Sequence, residues 1–227
     1  MKIIPNVYQI TIGSCNSVNV FLVAEEKLTL IDTGSQTSAK QIIDFIHKIG
    51  RSEEEIVLIV ITHNHPDHTG GLAKLKEISG AEIVAHQADI ASLPFGRIVN
   101  KICQGIVRTS IGHHIYLDKA IIDRPLSGGE VLPPLGGMKV IWTPGHTPGS
   151  ISLLAPKYRM LFVGDLINTR FGKLRIPYRL INVNTNDAKD SMKRVAELDF
   201  NIVCVGHGKP LMKDGASKVQ RLVEGLV

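Results

Sequence analysis

The chain of 227 residues has no long hydrophobic run. Its longest apolar stretch, residues 56–61, is far too short to span a bilayer, and the opening Met1-Lys2-Ile3-Ile4-Pro5 carries no extended apolar leader. A soluble, cytoplasmic protein without a membrane partner is expected. Cysteine is scarce: Cys15, Cys103 and Cys204 are odd in number, far apart and form no Cys-x-x-Cys pair, so neither a disulfide framework nor a thiolate zinc site is indicated. They read as reduced thiols in or near the core. Aromatic residues make up only 5% of the chain and are not interleaved with basic ones, which argues against a stacking platform for single-stranded nucleic acid. The formal charge of +5 has no basic tail behind it; it permits acidic partners or anionic substrates and does not by itself point to nucleic acid. Repeats at a fixed period and low-complexity tracts are absent as well.

The length suits one domain spanning 1–227, with alternating strand and helix signals. Residues 7–12, 18–24 and 28–31 read as short strands separated by turns, an antiparallel opening. Ile42, Ile43, Phe45, Ile46 and Ile49 then recur at helical spacing until Gly50 ends the helix. Residues 56–61 are continuously apolar, as in a strand buried on both faces. Leu72, Leu75 and Ile78 mark a helix, followed by a strand over 82–85. Strand character returns at 138–142, 151–154, 160–163 and 202–205, with a helix over 187–198 and another closing the chain. The less regular, basic segment 91–124, which includes Arg97, Lys101, Arg108, His113, His114 and Lys119, is expected to be a lid or insertion. The order implies an α/β protein with helices packed outside its sheets.

Seven residues dominate the chemistry. His63, His65, Asp67 and His68 lie within six positions, and His146, Asp165 and His207 follow downstream. Imidazoles and carboxylates are the ligand set of first-row metals, and seven of them suit two ions better than one. On a helix His63 and His65 would point apart, so shared ligation requires extended or looped backbone, and Pro66 disfavours helix at His65. Thr69-Gly70-Gly71 lets the chain turn tightly afterwards. His146 sits between two Pro and two Gly in Thr143-Pro144-Gly145-His146-Thr147-Pro148-Gly149-Ser150. Phe162-Val163-Gly164-Asp165 and Val205-Gly206-His207-Gly208 repeat the placement of a ligand type just past a strand. A lone strand-end His is more often a hydrogen-bonded surface residue; four such residues in six positions are not. His47, His86, His113 and His114 lack this context and read as non-ligands.

These motifs, Thr62-His63-Asn64-His65-Pro66-Asp67-His68-Thr69-Gly70-Gly71 above all, resemble the metallo-β-lactamase-fold hydrolase superfamily along essentially the whole chain. The resemblance implies a four-layer αβ/βα sandwich of two mixed β-sheets flanked by helices. It implies two divalent metal ions, zinc first with iron or manganese as alternatives. One would be held by His63, His65 and His146, the other by Asp67, His68 and His207, with Asp165 bridging both. Asp32, in Ile31-Asp32-Thr33-Gly34, matches a position that supports the metal loop without touching metal. In such a centre the ions hold a shared water as hydroxide, polarise a carbonyl or phosphoryl oxygen and stabilise the leaving group. Asp67 would also orient the attacking hydroxide, so Asp67 and Asp165 are the catalytic candidates.

The Thr-Pro-Gly-His-Thr-Pro-Gly-Ser phrase and an aspartate bridge are similar to glyoxalase II and its small relatives, which implies thioester or ester hydrolysis. The chain departs from glyoxalase II in having only residues 209–227 after Gly208 and Leu166-Ile167-Asn168-Thr169-Arg170-Phe171-Gly172-Lys173 after the bridging Asp. Arg170, Lys173, Arg175 and Arg179 are candidates to clamp an anionic substrate group, and Tyr178 to reach the reacting carbonyl. Acyl-homoserine lactonases of this fold place a Tyr soon after the bridging Asp, where this chain has Asn168. Persulfide dioxygenases share the fold but use one iron, which here would sit on His63, His146 and Asp165. Phosphodiesterases, including nucleases, are the remaining alternative.

Overall fold

The computed structural model describes residues 1–13, 18–91, 122–177 and 179–225. The expected lid lies mostly outside them, as do Tyr178, Cys15 and Cys103. Where the lid was expected to end, strand β7 (Arg124–Leu126) begins instead.

Two sheets face each other. The first has seven strands in the order β1 (Lys2–Ile4), β2 (Val7–Ile12), β3 (Val18–Ala24), β4 (Leu28–Ile31), β5 (Ile56–Val60), β6 (Glu82–His86) and β7. Its first four strands are antiparallel and the last four parallel, so it is mixed. The second sheet runs β12 (Ile202–Cys204), β11 (Met160–Phe162), β10 (Ile151–Ala155), β9 (Met138–Trp142) and β8 (Val131–Leu132), with only β11 and β12 parallel.

Period-2 alternation explains how both faces of the first sheet are covered. Phe21, Val23, Leu58, Val60 and Val84 point toward the second sheet and pack with Val140, Leu153, Met160 and Phe162. Phe21 and Phe162 meet edge to face across the gap, with ring centroids 5.2 Å apart. Their neighbours Val20, Leu22, Ile59 and Ile61 point outward onto α1 (Ser38–Lys48) and α3 (Leu72–Ser79), through Ile42, Ile46, Leu72 and Leu75. On the far side Leu161, Val163 and Val203 pack on α5 (Thr185–Ala196) and α6 (Gly215–Glu224) through Met192, Val195 and Val219. The four layers are therefore helix, sheet, sheet, helix. Within β5 the expected burial on both faces holds except at Val57, which is exposed.

This topology decides where the site forms. Strands β4 and β5 are parallel neighbours in one sheet, and β11 and β12 in the other, so each pair ends at a common edge. Strand β9 is antiparallel to β10, which is antiparallel to β11, so β9 ends there too. Two backbone hydrogen bonds join the sheets at this edge: Asn19 N–H to the Gly206 carbonyl (2.8 Å) and Ile151 N–H to the Thr62 carbonyl (2.9 Å). No helix among the described residues is long and apolar enough to cross a membrane.

Candidate metal centre

The loops that leave β4, β5, β9, β11 and β12 carry Asp32, the His63–His68 segment, His146, Asp165 and His207 respectively. His65 has extended backbone (φ −72°, ψ 145°), as Pro66 requires. Asp67 and His68 are not in open loop: they belong to the one-turn helix α2 (Pro66–Thr69), which starts on Pro66 and turns both side chains back toward the strand ends.

Hydrogen bonds on the outer side of each ring decide which nitrogen faces inward. Asp32 accepts from the Thr62 N–H through Oδ1 (2.8 Å), and from the Thr62 hydroxyl and His68 Nδ1 through Oδ2 (both 2.8 Å). With its proton given to Asp32, the Thr62 hydroxyl accepts from His63 Nδ1 (3.0 Å). His146 Nδ1 donates to Asn182 Oδ1 (3.0 Å). His63 and His146 therefore turn a bare Nε2 into the cluster, and His68 turns its Nε2 the same way, bare whenever the ring is neutral. Asp32 does this from a left-handed backbone (φ 62°), a conformation Asp tolerates better than most residues.

Inside the cluster ligand-type atoms crowd together with few proper partners. Three groups, His63/His65/His146, His63/His68/Asp165 and Asp67/His68/His207, each have their donor atoms within 4.8 Å of one another. Asp165 stands between them, with Oδ2 at 3.5 Å from His146 Nε2 and 3.2 Å from His207 Nε2, and Oδ1 at 3.6 Å from His68 Nε2. His207 Nε2 also lies 3.3 Å from Asp67 Oδ2. His63 Nε2, His68 Nε2 and Asp165 Oδ1 are buried without a hydrogen-bond partner. Buried polar atoms are ordinarily satisfied. A set of inward lone pairs and a carboxylate oxygen left unmet fits cations of the first-row type, and the donor set fits too. A side chain at Gly206 would put its Cβ 2.2 Å from Asp165 Oδ1, so only glycine admits the carboxylate here.

The electrostatics divide the cluster. Burial, reinforced by the neighbouring imidazoles, pushes His63 well below the ordinary histidine value and His65 down to about 3; burial lowers His146 as well. At His68 burial works against the charged form, yet Asp32, Asp165 and Asp67 raise it to about 9. At His207 the same opposition is outweighed by Asp165 and Asp67, again raising it. Burial disfavours the Asp165 carboxylate, but His68 and His207 hold its pKa well below the usual range, and Asp67 follows the same pattern.

Of the substrate candidates, Arg170 reaches the centre, with Nη2 2.7 Å from His207 Nδ1. Lys173, Arg175 and Arg179 are exposed on the same segment, Arg175 bridged through its backbone to Asn168, and no bond from the three to the cluster is seen among the described residues. His86, read as a non-ligand, stacks on Trp142 at 5.3 Å. Asn182 and Asn19 are among the residues that the sequence does not single out. Asn182 orients His146, and buried Asn19 donates to the Val205 and Gly208 carbonyls (both 2.8 Å), fixing the His207 loop. Neither has a local signal, because each partner is a long way along the chain.

Two mixed sheets in an αβ/βα sandwich, with a His/Asp cluster at their shared edge, define a class of proteins that carry a candidate metal centre there. The sequence profile of the Metallo-beta-lactamase superfamily matches residues 13–207, and the chain belongs to that superfamily. It is 32% identical over 203 residues to the uncharacterized protein YobT of Bacillus subtilis, covering 85% of this chain and 83% of that one. It is 28% identical over 196 residues to the probable metallo-hydrolase YybB of the same organism, covering 85% and 80%. A shorter match, 35% identical over 109 residues, covers 48% of the chain and 33% of the hydroxyacylglutathione hydrolase of Brucella ovis. The crystal structure of TTHA1623 in a di-iron-bound form superposes with a TM-score of 0.72 at 25% identity, covering 95% of this chain and 98% of that one.

Proposed function

We propose that the protein is a dinuclear metal-dependent hydrolase that cleaves a thioester or ester bond in a small, anionic substrate. The observation that carries this reading is the convergence of all seven side chains, with two separate three-residue sets meeting at Asp165. His63, His65 and His146 would hold one ion and Asp67, His68 and His207 the other. Two bound divalent ions would supply a water made acidic enough to attack near neutral pH and a Lewis acid for the carbonyl oxygen. Zinc suits the His-rich set, and the di-iron form of TTHA1623 keeps iron open.

The protein's own groups have distinct parts. The Asp67 side chain is 44% exposed, more than Asp165 or His207, so it is the carboxylate open to solvent and is placed to accept a hydrogen bond from the attacking water and orient it. Asp32, Thr62 and Asn182 hold the imidazoles with their lone pairs inward. Arg170, beside His207, is assigned the substrate's anionic group. The partial match to hydroxyacylglutathione hydrolase supports a thioester.

The test is metal quantification on purified protein beside a panel of thioester, ester, lactone and phosphodiester substrates. Two ions per chain with thioester or ester turnover is the expected result. One iron with oxygen uptake on a persulfide, or turnover confined to lactones or phosphodiesters, would replace it.

A further inference from the structure

We propose that Asp89 is the positioning residue that assembles the His63/His65/His146 half of the centre, by clasping the two separate loops that carry those histidines. The proposal rests on the metal reading above.

Asp89 lies on the short helix α4 (Gln87–Ala91) and is 1% exposed. Its Oδ2 accepts from the Asn64 N–H (2.9 Å) and the Thr147 hydroxyl (2.8 Å), and its Oδ1 from the Gly149 N–H (2.6 Å). Asn64 stands between His63 and His65, and Thr147 directly follows His146. One carboxylate therefore bonds the main chain of the first ligand loop and both main chain and side chain of the second. The Asn64 side-chain amide adds a longer bond to the Asp89 carbonyl (3.4 Å). A buried carboxylate costs several kcal/mol unless donors surround it, as they do here.

The approach is built into the second loop. A Cβ at Gly149 would fall 2.4 Å from Asp89 N and 2.5 Å from its Cγ, so this glycine exists for the contact. Burial pushes the Asp89 carboxyl up to about 6, while Thr147, Gly149 and Asn64 pull the other way.

The other half of the centre is held by different residues. His68 is fixed by Asp32 through its ring and by Thr33 through its carbonyl, and the His207 loop is fixed by Asn19. The Asp89 carboxylate bonds to Asn64, Thr147 and Gly149 all lie on the three-histidine side. Its effect should be confined to one metal.

The experiment isolates each half. His207→Ala leaves the three-histidine set intact and His65→Ala leaves the Asp67/His68/His207 set, and zinc affinity is measured in each background by competition with a chromophoric chelator. Adding Asp89→Ala to His207→Ala should weaken zinc binding by ~10–100-fold, and adding it to His65→Ala by less than about threefold. Asp89→Asn keeps one acceptor oxygen and the side-chain shape, so it should fall between Asp89 and Asp89→Ala; this milder variant carries the test if the alanine variant does not fold. Equal weakening in both backgrounds would assign Asp89 to general fold stability and overturn the proposal, as would no weakening in either. A wild type that takes up no zinc, iron or manganese would instead overturn the metal reading.

Discussion

The two halves of the site are built in opposite ways. His63, His65 and His146 have their charge suppressed by burial; the outer nitrogen of His63 is tied to a hydroxyl and that of His146 to an amide, while His65 Nδ1 pairs with His146 Nε2 at 3.0 Å. His68 and His207 lie among Asp32, Asp67 and Asp165 and are drawn toward the charged form. The first half is a set of lone pairs waiting for a cation, whereas the second is already an internal ion-pair network whose protons a cation must displace. Similar ligand types give different behaviour because of what stands behind them.

The largest effect should come from the one residue that belongs to both halves. Asp165→Ala should empty both sites and lower turnover by roughly a thousandfold or more. Metal analysis and activity on the same preparation check this, and retained metal at either half would mean that Asp165 is not shared.

The comparison next predicts two limbs of stability in chelator-treated protein. His65, depressed from 6.5 to about 3, contributes stability that is full above the unfolded value and is lost as pH falls below it. His68, raised from 6.5 to about 9, contributes stability that is full below 6.5 and is lost as pH rises through 9; this span corresponds to on the order of 3 kcal/mol. Urea unfolding across pH 5–10 should show both losses. His65→Gln should blunt the acid limb and Asp32→Asn the alkaline one. If either variant blunts both, the halves are not separable.

Asp32→Asn also probes metal binding. The amide can keep the bond from the Thr62 N–H but turns a donor toward His68 Nδ1 directly and toward the Thr62 hydroxyl, through which His63 feels the change only at second hand. Affinity at the Asp67/His68/His207 set should fall by ~10–100-fold, read by chelator competition, with the three-histidine set less affected.

Much of this was legible in the sequence, for physical reasons that also explain the gaps. The seven cluster residues announce themselves by local density and by Gly/Pro loops after apolar strands. Strands such as β3 and β5 show in their β-branched, apolar character. Strand β7 contains Arg124 and Pro125 and is a strand only because β6 offers it a parallel partner. Helix α2 is a single turn, too short for any periodicity. Asp89, Asn19 and Asn182 work through partners that lie 25 to 189 positions away, so no spacing rule finds them. The basic stretch after Asp165 was visible as composition, but the fold brings Arg170 to the cluster and leaves Lys173, Arg175 and Arg179 exposed.

Arg170 gives the smallest predicted effect and the finest test of the asymmetry. Its guanidinium only donates, and it lies against His207, so the cation stands beside the carboxylate half and not the three-histidine half. An anionic substrate group should therefore be held on that side. Arg170→Ala should raise KM for a carboxylate-bearing thioester by ~10-fold with kcat nearly unchanged, and should leave an uncharged thioester with the same acyl group unaffected. A fall in kcat for both substrates would move Arg170 from substrate binding to orientation of His207, because the loss would then follow the metal ligand and not the charge on the substrate.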